Sequence, residues 1–123
     1  MTSYQYIQTK EIIKTKLFPQ LRKKGFIARM NFSCCSTCAS YELAEVAREK
    51  KKDDIVFYHR QDEERFRDRG EVYLRFFSMK KDGSHDLETG KIIAECAKNV
   101  GLKVDWDETP TTCILITADA ELL

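Results

Sequence analysis

The stretch Glu71–Ser78 reads EVYLRFFS, and bulky side chains fall on both of the faces that a strand would give it. The two faces are Val72, Leu74 and Phe76 on one side, and Tyr73, Arg75 and Phe77 on the other. Because successive side chains of a β-strand point in opposite directions, this stretch is predicted to be a strand. We expect a helix to cover the second face. The alternative for that face is an aromatic platform for single-stranded nucleic acid.

Helices and strands flank this strand in an irregular order. The apolar periodicity predicts helices at 4–24, 36–51 and 86–100 and a short helical turn at 61–69. Strands are predicted at 26–32, 54–59, 102–107 and 113–117. Pro19 predicts a kink or a restart within the first helix. The sequence therefore predicts an α+β fold, in which residues 1–123 form one domain with helices packed on a mostly antiparallel sheet of about five strands.

Length and composition exclude several classes of protein. The chain has 123 residues, of which 42% are hydrophobic and 33% charged, so disorder and fibrous repeats are excluded. No run approaches the roughly 18 apolar residues of a membrane span. The first residues lack the apolar core of a signal peptide, and five cysteines is an odd number. We therefore expect reduced thiols in the cytoplasm rather than a disulfide framework.

The charge distribution leaves two interpretations of the first helix. A net charge of +1 argues against a dedicated binder of duplex DNA. The first thirty residues nevertheless carry one acid, Glu11, against a set of bases. These bases are Lys10, Lys14, Lys16, Arg22, Lys23, Lys24 and Arg29. They form either a solvated helix face or a surface for RNA or another acidic partner.

The sequence CCSTC, from Cys34 to Cys38, is the main chemical feature of the chain. It lies where a predicted strand leads into a predicted helix. One helical turn separates Cys35 from Cys38, and the exposed amides of a helix N-terminus stabilise a thiolate. Cys35 also shares an apolar stripe with Ala39 and Leu43, which predicts that Cys35 is buried and that Cys34 is the more accessible thiol.

Three interpretations of these cysteines remain open. They are small core residues, or Cys35 and Cys38 form a reversible disulfide, or they bind a metal ion. In the metal interpretation Cys35 and Cys38 would hold zinc with a distant ligand, for which His59 is a candidate. Cys96 and Cys113 are interpreted as packing residues.

His59 follows a predicted strand and precedes Asp62 by three residues. One interpretation makes His59 a proton carrier for the thiols, oriented by Asp62. The other is a polar residue at a strand end with a nearby carboxylate. No glycine-rich phosphate loop, GxSxG or HExxH motif accompanies these residues.

Three segments resemble a family of small, mainly bacterial proteins that is known as a domain of unknown function. They are Met30–Cys38, Phe57–Asp62 and Gly101–Asp107, and the resemblance extends over about residues 9–117. It implies a bacterial cytoplasmic setting. It also implies that five residues belong to one site: Cys34, Cys35, Cys38, His59 and Asp62. It implies no activity.

The leading hypothesis is thus a small cytoplasmic α+β protein with a redox-responsive CCxxC site, without an assigned enzyme activity. The first alternative is a zinc-stabilised or purely structural interaction module, whose partner would be another protein or a second copy of the chain. Binding of RNA or an acidic partner through the first helix is the second alternative.

Overall fold

The computed structural model describes residues 2–80, 84–109 and 113–118, except for the side chains of residues 2–4, 84, 85 and 118. Its α-helices are α1 (Thr2–Ile12), α2 (Phe18–Lys23), α3 (Ser36–Lys50), α4 (Arg60–Arg69) and α5 (Ser84–Asn99). Its strands are β1 (Ile27–Arg29), β2 (Asp54–Phe57), β3 (Glu71–Ser78), β4 (Leu102–Asp105) and β5 (Ile114–Ala118). None of the described helices combines the length and the apolar character needed to cross a membrane.

The five strands form one sheet in the order β1-β2-β3-β5-β4. β1 and β2 are parallel, and the other neighbouring strands are antiparallel. The predicted α+β fold and the mostly antiparallel sheet of about five strands are therefore confirmed. Because β1 and β2 run in the same direction, the loops that follow them leave the same edge of the sheet. α3 makes the connection between these two strands.

β3 is the central strand and divides its pairing between two neighbours. Its second half, Arg75–Ser78, pairs with β2, whereas its first half, Glu71–Leu74, pairs with β5. The helix that joins β2 to β3, α4, packs against β3 and carries Arg65 over the ring of Tyr73.

Apolar residues on both faces of the sheet are buried. Val72 and Leu74 belong to the larger core, which α1, α2 and α5 cover together with Phe66 of α4. On the opposite face Phe77 packs on a smaller core between the sheet and α3. The smaller core consists of Ile27, Ala39, Leu43, Ala47, Ile55 and Phe57. The prediction that a helix covers the second face of β3 is confirmed for Phe77, which packs under α3, whereas Tyr73 is 37% exposed.

A π-helical segment, Ile13–Leu17, separates α1 from α2. Its end is marked by the hydrogen bond from the Phe18 amide to the carbonyl of Ile13, five residues earlier. Pro19 lies in the first turn of α2, where a missing amide hydrogen costs least. In place of the predicted kink or restart, the chain stays helical and widens into this π-helical segment, in which Ile13 and Leu17 are buried.

Two predicted elements differ most from the structure, and the strands predicted at 54–59 and 102–107 end two residues earlier than predicted. β1 is three residues long rather than seven, because Asn31 and Ser33 adopt positive φ angles of 49° and 67° that no strand accepts. Residues 60–69 form a complete helix rather than a short turn. The buried face of this helix is hidden in the sequence because two of its three buried residues are acidic, Asp62 and Glu63.

Candidate functional site

The loop that carries the cysteines is fixed to the loop that follows β2. The amide of Phe32 donates to the carbonyl of Tyr58 at 2.9 Å, and the amide of Arg60 donates to the carbonyl of Ser33 at 3.1 Å. These bonds continue the parallel β1–β2 pairing beyond the strands. The N-termini of α3 and α4 therefore lie close together at one edge of the sheet.

Cys35 is the N-cap residue of α3, and Cys38 is the third residue of that helix. The backbone of Cys35 is extended, with φ −158° and ψ 173°, as N-cap residues usually are. Its side chain makes no capping hydrogen bond, and the first turn of α3 contains no acidic residue. The amides of this turn, that of Cys38 among them, can therefore stabilise a negative charge on the sulfur of Cys35.

The three sulfur atoms of Cys34, Cys35 and Cys38 lie within 4.8 Å of one another, and we call them the thiol cluster. The distance between the sulfurs of Cys34 and Cys35 is 3.8 Å. Cys34 and Cys38 are exposed and Cys35 is partly buried. Cys34 is thus more accessible than Cys35, as expected, but Cys35 is less buried than its stripe predicted. The two exposed cysteines do not fill the core.

The surroundings of Cys35 and Cys38 shift the pKa values of these two thiols in opposite directions. The backbone amide of Cys38, followed by the Cys38 thiol, stabilises the thiolate of Cys35 and lowers the pKa of Cys35. Hydrogen bonding to Cys34, and next to Cys35, raises the pKa of Cys38 to about 11. The surroundings therefore favour the thiolate of Cys35 over the thiolate of Cys38, a difference in acidity that dithiol sites use.

His59 and Asp62 form a capping box at the start of α4. The Asp62 amide donates to Nδ1 of His59 at 3.4 Å, and the His59 amide donates to the Asp62 carboxylate at 3.2 Å. Both residues are buried, and Arg75 binds the same carboxylate through two hydrogen bonds of 2.8 and 3.0 Å. Burial lowers the pKa of His59, although Asp62 acts in the opposite direction.

The structure therefore groups the five candidate residues in two sets. Cys34, Cys35 and Cys38 form one set, and His59 with Asp62 forms the other. Among the side chains that the structure describes, no His, Cys, Asp or Glu joins the three sulfurs within the same 4.8 Å. The zinc ligand set Cys35, Cys38 and His59, and the role of His59 as a proton carrier, stay predictions.

A second polar cluster under α4 was not predicted. The carboxylate of Glu63 is 2% exposed and accepts hydrogen bonds from Tyr6, Lys10 and Tyr58. We call these four residues the Glu63 cluster. The sequence signal that points to it is weak: Tyr6 and Lys10 are four residues apart, and so share one face of α1.

The remaining candidates have packing roles or lie in solvent. Cys96 is 5% exposed in the larger core, which confirms its predicted place. Cys113 is partly buried, and Arg75 donates to its sulfur at 3.5 Å. Among the bases of the first helix, Lys10 binds Glu63, and the exposed ones include Lys14, Lys16, Lys23 and Lys24. Binding of RNA or an acidic partner there stays a prediction.

Comparison with known proteins gives one match. The model of a family described as a domain of unknown function, DUF6891, matches residues 15–120. No curated protein and no solved structure matches the chain. The matched region includes the thiol cluster and the His59–Asp62 capping box, in agreement with the resemblance expected from the sequence. The chain belongs to the DUF6891 family of domains of unknown function.

Proposed function

We propose that the thiol cluster is a redox-responsive site in which Cys35 and Cys38 interconvert between a dithiol and a disulfide. The observation that carries this proposal is the convergence of the sulfur atoms at the N-terminus of α3, with Cys35 at the N-cap. Exposure of Cys34 and Cys38 gives a small reagent access to the cluster. Such a reversible site fits a reducing compartment, and we propose the cytoplasm.

The reaction is a thiol–disulfide exchange with a low-molecular-weight disulfide as oxidant. The thiolate of Cys35 attacks one sulfur of that disulfide, forms a mixed disulfide and releases one thiolate. The thiol of Cys38 then loses its proton and attacks the sulfur of Cys35, which releases the second thiolate. The oxidant has gained two electrons, and the protein has lost them in forming one sulfur–sulfur bond.

Cys35 fits the attacking role and Cys38 the resolving role. The amides of the first turn of α3 lower the pKa of Cys35, so a larger fraction of it is thiolate near neutral pH. The raised pKa of Cys38, about 11, keeps its thiol protonated until the mixed disulfide has removed the negative charge from Cys35. A Cys34–Cys35 disulfide is less suitable because adjacent residues close a strained ring.

Oxidation with glutathione disulfide, followed by mass-spectrometric mapping, tests the proposal. The wild-type protein is expected to form the Cys35–Cys38 disulfide, which a mild thiol reductant reverses. Cys34→Ser should retain this disulfide, whereas Cys38→Ser should stop at the mixed disulfide on Cys35. If the folded wild-type protein forms no disulfide between these residues, the proposal is wrong.

The pH dependence of alkylation provides a second measurement. In reduced, chelator-treated protein, the rate of alkylation at Cys35 should rise with pH and then level off. The midpoint of this rise should lie below 9.0, the ordinary pKa of a thiol. At Cys38 the rise should occur near pH 11. Residue-resolved mass spectrometry after short exposure to iodoacetamide measures both profiles. Equal midpoints would contradict the assignment of Cys35 as the attacking thiol.

A further inference from the structure

A disulfide uses two sulfur atoms, but the structure brings three together. All three sulfurs of the thiol cluster lie within 4.8 Å of one another, and those of Cys34 and Cys35 are 3.8 Å apart. A metal–thiolate bond of about 2.3 Å places sulfur ligands about 3.8 Å apart in a tetrahedral site and about 4.0 Å apart in a trigonal one. The Cys34–Cys35 pair therefore already has the spacing of two ligands around one metal ion, and the sulfur of Cys38 lies within about 1 Å of the position of a third.

The backbone holds this spacing. Ser33 and Asn31 adopt left-handed conformations that turn the chain immediately before the cysteines, and the bond from the Arg60 amide to Ser33 fixes the turn. The backbone of Cys35 is extended, and both Cys34 and Cys35 precede the first residue of α3, Ser36. Cys38 joins them from the first turn of the helix. Binding would thus require little rearrangement of the chain.

We propose that Cys34, Cys35 and Cys38 together bind one thiophilic d¹⁰ cation, Zn²⁺ or Cu⁺, through three thiolates. This inference goes beyond the redox site, because it requires Cys34 and does not require a disulfide. A ligand set made only of sulfur favours such ions over Mg²⁺ or Ca²⁺. It also differs from the zinc site predicted from the sequence, since it uses Cys34 in place of His59.

The exposure of the cluster indicates that the bound ion is exchangeable. Structural zinc sites are closed by four protein ligands, whereas sites with three protein ligands keep a position open for water or another molecule. Cys34 and Cys38 are exposed, and in the described part of the chain no further ligand lies within the 4.8 Å grouping. The ion therefore sits at the surface, where a thiol of another molecule can take the open position.

Titration of the reduced, metal-free protein under anaerobic conditions tests this inference. Zn²⁺ is added in competition with a chromophoric chelator, and Cu⁺ in a separate arm with its own competing chelator. We expect one equivalent of at least one of these ions to bind. Cys34→Ser should weaken binding by at least about tenfold, because removing even an outer-shell partner of a ligand costs that much. The matched control Cys113→Ser removes a cysteine outside the cluster and should bind as the wild type does.

Two results would overturn the inference: neither ion binds to the wild-type protein, or Cys34→Ser binds as tightly as the wild type. Glutathione disulfide oxidation of the same Cys34→Ser protein separates this failure from that of the redox proposal. A Cys35–Cys38 disulfide without ion binding would leave only the redox site. Ion binding without any disulfide would leave only the metal site.

Discussion

α3 and α4 begin next to each other at the same edge of the sheet, yet their N-termini differ in how their amides are satisfied. At α4 the N-cap His59 and Asp62 form a buried reciprocal cap, and Arg75 neutralises the carboxylate. At α3 the N-cap Cys35 makes no capping hydrogen bond and no acid follows in the first turn. The α4 N-terminus is therefore occupied by its own side chains, whereas the α3 N-terminus is available to a thiolate.

This contrast explains why we place the chemistry at the thiols and a stabilising role at His59 and Asp62. A buried group whose polar atoms are all engaged cannot bind a ligand without first losing those contacts. The thiol cluster has solvent access and an uncompensated helix N-terminus. The three predictions below test the two termini separately.

The largest effect is expected from Asp62→Asn, which removes the charge at the α4 N-terminus. Asp62 is completely buried, so its loss leaves the guanidinium of Arg75 without its carboxylate. We expect the free energy of unfolding to fall by about 3 kcal/mol, as it does when a buried ion pair is broken. Urea unfolding measures this change. Asp68→Asn, at an exposed position of the same helix, is the control.

A loss below about 1 kcal/mol would show that the pair behaves like a surface salt bridge. In that case the α4 N-terminus would contribute less to the free energy of unfolding than its buried hydrogen bonds indicate. The reactivity of Cys35 toward iodoacetamide should stay close to that of the wild type at a temperature where Asp62→Asn is folded.

A smaller effect is expected when α3 receives the cap that it lacks. Serine accepts a hydrogen bond from the amides of a first helical turn, whereas alanine does not. The free energy of unfolding of Cys35→Ser should therefore exceed that of Cys35→Ala by about 1 kcal/mol. Thermal or urea unfolding of the two variants measures the difference. Equal stabilities would mean that these amides already have a partner, which would contradict the difference in capping between α3 and α4.

The third prediction concerns the pH dependence that His59 contributes to stability. Burial lowers its pKa in the folded protein from the ordinary value of 6.5, while Asp62, Arg65 and Arg75 surround it. As the pH falls below this value, the unfolded chain takes up a proton before the folded protein does. The free energy of unfolding should then decrease by at most about 1.4 kcal/mol per pH unit until the folded pKa is reached.

His59→Asn isolates this contribution because asparagine caps a helix but does not titrate. Urea unfolding at pH 7.5 and pH 5.5 should show a smaller loss of stability for the variant than for the wild type. The same pH dependence in both proteins would exclude His59 as the titrating group.

The fold could be predicted wherever local pattern determines structure. The alternation within Glu71–Ser78 identified the central strand, and the CCxxC motif was correctly expected at the start of a helix. α4 was underestimated because its buried acids depend on distant partners: Tyr6 lies 57 residues from Glu63. No local period reveals such a pair. The candidate residues could be named from the sequence, but their division into two sets depends on the capping box.

The thiol cluster comes from five consecutive residues, whereas the Glu63 cluster is assembled from α1, α4 and Tyr58 in the loop after β2. A fluctuation that lifts α1 away from the sheet would take Tyr6 and Lys10 from Glu63 and break that cluster. The sulfur atoms would keep their spacing, since the segment that carries them is fixed to the loop after β2 and not to α1. The geometry of the thiol cluster should therefore persist when α1 opens.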